Sequence, residues 1–214
     1  MSETPLWLQG RTAVIDAADP SAWRDGTTPD YHLSHSVMPG QRSTQHAPDS
    51  LEAIVESIVQ VFEMEVSYKK DPATWVSMVT EHFRTNVNGG PWASAQDIVD
   101  IGSYNILIGD SPFYRSGQES FESSHHIFHK AFPGGFYWEV LEVISPPPVV
   151  TFKWRHWGTF EGEYHGHQPD GKVIEMFGVS VAKVSDDLKL VEVEHYYDPN
   201  QFLGKLTGGC PVAH

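Results

Sequence analysis

Five residues that can move protons or hold ligands fall in one stretch of this chain, residues 149–206: His156, His165, His167, His195 and Asp198. Three strand-like runs separated by turn signals carry them, and pairing neighbouring strands brings distant residues onto one face of one sheet. Asp198 closes the run His195-Tyr196-Tyr197-Asp198. A carboxylate desolvated by an aromatic wall has a raised pKa and can remove a proton next to a carbonyl. Alternation sets a conflict, because Val191, Val193, His195 and Tyr197 share one strand face while Glu192, Glu194, Tyr196 and Asp198 share the other. The valine face is the core-like one, so His195 rather than Asp198 reaches the interior unless a bulge intervenes. Asp198-Pro199 also reads as a plain strand stop. His156 ends an apolar face with Phe152, Trp154 and Phe160, where a lone histidine is either a hydrogen-bonded core residue or the partner of His195.

A second cluster, His125, His126 and His129, lies on a predicted helix. His125 and His129 stand at i, i+4 and share a face, which could hold a metal ion. No third ligand follows at a recognised interval, so no metal is assigned. His165-Gly166-His167 has same-face spacing but reads as a hairpin connection. Cys210-Pro211 is a pair that sometimes ligates haem; two residues carry too little, and the tail, 207–214, is read as flexible. There is no Gly-x-Gly-x-x-Gly, phosphate loop, Gly-x-Ser-x-Gly or Cys-x-x-Cys pattern, so nucleotide-dependent and serine-type chemistry lack support and no cofactor is expected.

Several elements must position these groups. Residues 1–48 carry no sustained period and read as an extended, largely loop-like arm with a turn near Pro20, docked through Trp7, Trp23 and Tyr31. Asp49 or Ser50 caps a first helix, whose Leu51, Ile54, Val55, Ile58, Val59, Phe62 and Val66 keep the i, i+3, i+4, i+7 stripe. Lys69 and Lys70 give it a basic last turn. A short strand over 82–87 follows, then a helix from Ser94 to about Ile108, opened by a Ser94/Asp97 capping box and weakened by Gly102. A third helix spans 120–132. Strands are expected over 136–144, 149–160, 172–184 and 188–197. Helices early and consecutive antiparallel strands late define an α+β fold, with the body at 49–206.

Composition narrows the partners. The 28 acidic residues against 14 basic ones give a formal charge of −14, which repels nucleic acid and anionic membranes. No run approaches the ~20 apolar residues of a membrane span. The N-terminus does not read as a signal peptide and Cys210 is the sole cysteine, so a cytoplasmic protein is expected. Apolar residues on both faces of the 172–184 strand predict a strand covered on both sides, hence a homodimer through the outer sheet face.

The motif order W-R-H-W-G-x-x-x-G from Trp154, G-H-x-P-x-G from Gly166 and the V-E-V-E-x-x-Y-D strand end resembles the SnoaL-like polyketide cyclases of the nuclear transport factor 2-like superfamily. N-V-N-G-G at 86–90, G-S-Y-N at 102–105, F-E-S-S-H at 121–125 and A-F-P-x-G-F-x-W-E-V-L-E-V at 131–143 look like the plant pathogen-related protein branch. The resemblance implies a cone-shaped half-barrel, a curved and mainly antiparallel sheet that encloses a pocket with helices. It also implies an acid/base role for Asp198. The expected function is a cofactor-free lyase, isomerase or cyclase moving protons on a small, mostly apolar carbonyl- or hydroxyl-bearing compound. Asp198, His195 and His156 are the catalytic candidates, and Trp154, Tyr104, Tyr197 and His125 the ligand-binding ones. A non-catalytic small-molecule-binding or stress-response protein is the competing class, and a metal- or haem-dependent enzyme a remote one.

Overall fold

The structure, a computed structural model, describes residues 4–210. Its central helix, α3, runs Leu51–Tyr68 and starts at Ser50, whose side chain accepts the Ala53 N–H. Val55, Ile58, Phe62 and Val66 pack into the main core as the stripe requires. Val61 and Met64, off that stripe, are fully buried as well. Their cover is the N-terminal segment, where Val14 and Trp23 close over them.

That segment is not the loop-like arm the sequence suggested. It holds α1, Arg11–Ala17, and α2, His32–Gln41, with short 3-10 turns at Leu6–Leu8 and Pro20–Ala22. The apolar period was absent because each helix buries one residue, Val14 in α1 and Met38 in α2. A buried carboxylate clasps the end of the segment. Glu139, fully buried, accepts the backbone N–H groups of Ser43 and Thr44, both their hydroxyls, and Arg155 at 2.8 Å. Burial opposes its ionisation, yet these donors hold its carboxyl below the usual range. Glu65, also fully buried, pairs with Lys69 at 2.8 Å and accepts Val76 and Ser77 N–H. Lys69 is therefore an interior group, not a solvated last-turn charge.

The predicted second helix breaks at Gly102. There φ of +104° and a Cα of Phe121 3.0 Å from a would-be Cβ demand glycine. The result is α4, Ala95–Ile101, opened by the Ser94/Asp97 capping box, and α5, Ser103–Ile108. Next comes α6, Phe121–Ala131. The sheet has six strands: β1 Arg84–Val87, β2 Ala93–Ser94, β3 Tyr137–Ser145, β4 Val149–Thr159, β5 Val173–Val184 and β6 Leu190–Tyr196. Their order is β2-β1-β6-β5-β4-β3, with β1 parallel to β6 and every other pair antiparallel. The fold is α+β around an open mixed sheet. A last helix unforeseen in the sequence, α7 at Asn200–Leu206, buries Phe202, Leu203 and Leu206. Cys210 is exposed, and the Pro211 beside it lies outside the described residues.

Phe62 sits where α3 meets the sheet, 5 % exposed and 5.7 Å from the Phe83 ring. Phe62→Ala should destabilise the fold by about 3–5 kcal/mol in urea unfolding. A loss below about 1 kcal/mol would mean the stripe is not core.

Candidate functional site

Between α3, α5, α6 and the concave sheet face lies a cavity of about 440 Å³, one side of which is formed by the N-terminal segment. Its walls are mostly apolar and rich in aromatic rings, as ligand cavities for apolar compounds are. The sheet alternates as the sequence predicted: β6 turns Val193, His195 and the following Tyr197 inward. Tyr196 is exposed on the other side. Asp198 follows the outward set. Its carboxylate is exposed and accepts the Asn200 N–H at 3.0 Å, opening α7 rather than facing a ligand.

His195 is held by its cross-strand partner. The β5–β6 register sets Ser180 opposite His195, and Ser180 Oγ lies 2.9 Å from His195 Nδ1. Trp154 Nε1–H, which can only donate, is 2.8 Å from the same oxygen. Ser180 is buried and its hydroxyl has no other acceptor among the described residues, so it accepts from Trp154 and gives its own proton to His195 Nδ1. That fixes the tautomer: His195 Nε2 carries the hydrogen. This nitrogen is buried, lacks a partner among the described residues and belongs to the cavity wall. Burial, helped by the charge of His156, lowers the His195 pKa to about 4. A neutral imidazole N–H donor thus stands in an apolar chamber.

This relay depends on a missing side chain. Gly178 pairs with Trp154 across β4 and β5, and a Cβ there would come 2.2 Å from the indole. Gly178→Ala should displace Trp154 and release Ser180. The expected readout is a shifted tryptophan emission and a thermal midpoint lowered by several degrees. Unchanged emission and stability would show the contact to be soft.

His156, on β4, points into the same cavity. Its ring stacks on Phe136 at 4.9 Å, and Nδ1–H donates to the Tyr137 carbonyl at 3.1 Å. Nε2 then faces Glu63 Oε1 at 3.4 Å. Since Nδ1 carries its proton for a carbonyl, the Nε2–Glu63 contact is attractive only with a second proton between the two. Glu63 was overlooked in the sequence. Its signal was there, because Val59, Glu63 and Val66 stand at i, i+4 and i+7 on the cavity face of α3. Ser180 was missed the same way, a polar residue in the inward row of Met176 and Ala182.

Of the predicted ligand-binding residues, Trp154, Tyr104 and Tyr197 line the cavity. Tyr104 stacks on Phe128 at 4.7 Å, and Tyr197 meets Trp154 edge-on at 5.3 Å while its hydroxyl donates to the Leu107 carbonyl. Burial raises both phenol pKa values. His125 stands one layer behind, off the wall. Its Nδ1–H donates to Phe121 O at 2.9 Å, and its ring stacks on Phe121 and props the edge of Tyr104. His129, one turn on, does reach the wall, and burial lowers its pKa. Among the described residues no three His, Cys, Asp or Glu side chains converge as a metal site would need. His165 and His167 sit in a tight turn closed by the Tyr164–His167 bridge. Among the described residues no helix is long and apolar enough to cross a membrane.

An α+β protein with an aromatic-rich, partly open pocket and a few inward polar groups is the class these features define. The chain is 32% identical over 213 residues to the pathogen-related protein of Hordeum vulgare, covering 92% of this chain and 91% of that one. It belongs to the pathogen-related protein family. No family model matches it. Among solved structures it is similar to a candidate SnoaL-like polyketide cyclase from Jannaschia sp. CCS1, at 13% identity and TM-score 0.43, covering 77% of this chain and 98% of that one. Another is an NTF2-like protein from Burkholderia thailandensis E264, at 16% identity and TM-score 0.39, covering 70% and 94%. The chemistry of the cavity rests on this chain's own residues.

Proposed function

We propose that this protein catalyses cofactor-free proton transfer on a small, mostly apolar carbonyl compound, as an isomerase, lyase or cyclase. One observation carries the reading: the Glu63–His156 pair and the neutral His195 N–H face a single aromatic chamber. Glu63 removes a proton from carbon next to the carbonyl, and protonated His156 offsets the charge left behind. The electron pair moves onto the carbonyl oxygen, which takes a hydrogen bond from His195 Nε2–H. The proton then returns from Glu63, either to a different carbon, giving an isomer, or to the alkoxide formed when the enolate carbon attacks a second carbonyl. Proton taken equals proton returned. The test is deuterium uptake at the activated methylene of 2-tetralone in D₂O, followed by proton NMR. Exchange well above the buffer rate is expected, whereas tight binding without added exchange overturns the catalytic reading.

That second outcome would favour a binding protein. Its support is the wall itself, where Tyr197 spends its hydroxyl on the Leu107 carbonyl and apolar side chains dominate.

We also propose a homodimer through the outer sheet face. Phe177 is 53 % and Tyr196 44 % exposed there, with Val179 opposite Tyr196 and Val181 next along β5. Lys153 and Lys183 stand beside Glu142 and Glu192, both signs together, which suits a second copy related by a twofold axis. Light scattering should give twice the 24.0 kDa chain mass at micromolar concentration. A monomer at high micromolar concentration removes the idea.

A further inference from the structure

We infer that Arg11 is an anion-binding residue of the cavity, so that the ligand is an apolar oxo acid, with a carboxylate set apart from its reactive carbonyl. This rests on the proton-transfer reading for the carbonyl and on separate observations for the carboxylate. Arg11 opens α1 in the N-terminal segment and forms part of the cavity wall. Its guanidinium carbon stands over the Tyr31 ring, 3.8 Å from the centroid. No acceptor among the described residues meets its donors, and its Nε is sealed from solvent. Arg24 shares part of this pattern, over the Phe121 ring with Nε and Nη2 unmatched, but it reaches Glu122 at 3.3 Å and stands off the cavity wall. Two further partly buried arginines behave differently. Arg42 pairs with Glu56 and Arg155 with Glu139 and Glu175, each at 2.7–2.8 Å. Those two hold the fold together; Arg11 holds nothing of its own chain beyond a ring face.

A buried cation with unused donors is costly unless something anionic completes it. Burial indeed pulls the Arg11 pKa below its ordinary value, although Tyr31 and Glu63 favour the charge. Glu63 is the nearest carboxylate in this sense, but no ion pair forms, since its Oε1 faces His156 instead. A guanidinium held over a ring loses little freedom when its planar fork makes two parallel hydrogen bonds. An oxo acid would then place its carboxylate at Arg11, its carbonyl at His195 and its acidic C–H near Glu63.

The test compares naphthalene-2-carboxylate with naphthalene-2-carboxamide, isosteric probes that quench the tryptophans of the wall. The wild type should bind the carboxylate at least about tenfold more tightly at pH 7.5 and moderate salt. Arg11→Gln should erase that preference and leave amide affinity within about twofold. Arg11→Met, which keeps the stem against Tyr31, serves if the glutamine variant fails to fold. His195→Phe should keep the preference even where deuterium exchange is lost, which separates this inference from the catalytic one. Equal wild-type affinities for the two probes, or a preference that survives loss of the Arg11 charge, overturn it.

Discussion

His195→Phe should lower catalysed deuterium exchange by roughly 10²–10⁴-fold while leaving the protein folded at neutral pH. The ring is neutral there, with a pKa of about 4, so phenylalanine replaces an uncharged ring of similar shape and removes one inward donor. Ser180 then loses its acceptor, a cost of about 1–3 kcal/mol for an orphaned buried hydroxyl. Glu63→Gln should give a rate loss in the same range by a different route, because an amide cannot take the proton. His156→Gln should cost less if its role is to offset charge. Asp198→Asn, at an exposed turn, should leave exchange within twofold of the wild type. The exchange rate under saturating 2-tetralone checks all four. Full activity in both His195→Phe and Glu63→Gln would show that the donor and base are elsewhere.

Acid should destabilise this protein well before its carboxylates titrate. His125 and His195 each have a folded-state pKa lowered by burial to about 4 against the ordinary 6.5. Between those values the unfolded chain binds two protons that the folded chain refuses. Unfolding free energy therefore rises with pH across this window, is complete above about pH 6.5, and is lost as pH falls towards 4. From pH 7.5 to 5.0 the two groups together should remove about 4 kcal/mol. His129, lowered in the same direction, adds to the slope. Urea unfolding at the two pH values measures it. His125→Phe should cut the difference by about half, because that ring no longer has a proton to refuse. A wild type equally stable at pH 7.5 and 5.0 would mean these rings charge freely in the fold.

Phe62→Ala and Gly178→Ala probe the frame around the same groups. The first opens the packing between α3 and the sheet, the second dislodges the indole that feeds the Ser180–His195 relay.

Local rules made much of this legible in the sequence. A period of 3.6 residues set α3, and a capping box set the start of α4, because each depends on residues within one or two helical turns. Alternation assigned His195 and Tyr197 to the inner face of β6 and Asp198 to the outer, since a strand's side chains must alternate whatever lies beyond. Polar residues inside apolar rows, Glu63 on α3 and Ser180 on β5, were also readable in principle.

Tertiary structure alone decided the rest. That Ser180 stands opposite His195 follows from the β5–β6 register, and the tautomer follows from Trp154 arriving from a third strand. The pairing of Glu63 with His156 joins a helix to a strand far along the chain, a contact with no local period to announce it. The N-terminal helices were invisible for a related reason. Each buries a single side chain, so their order comes from docking on Val61, Met64 and Glu139 rather than from any stripe of their own. Docking is also what carries Arg11 into the cavity wall, and no reading of residues 1–48 alone could have put it there.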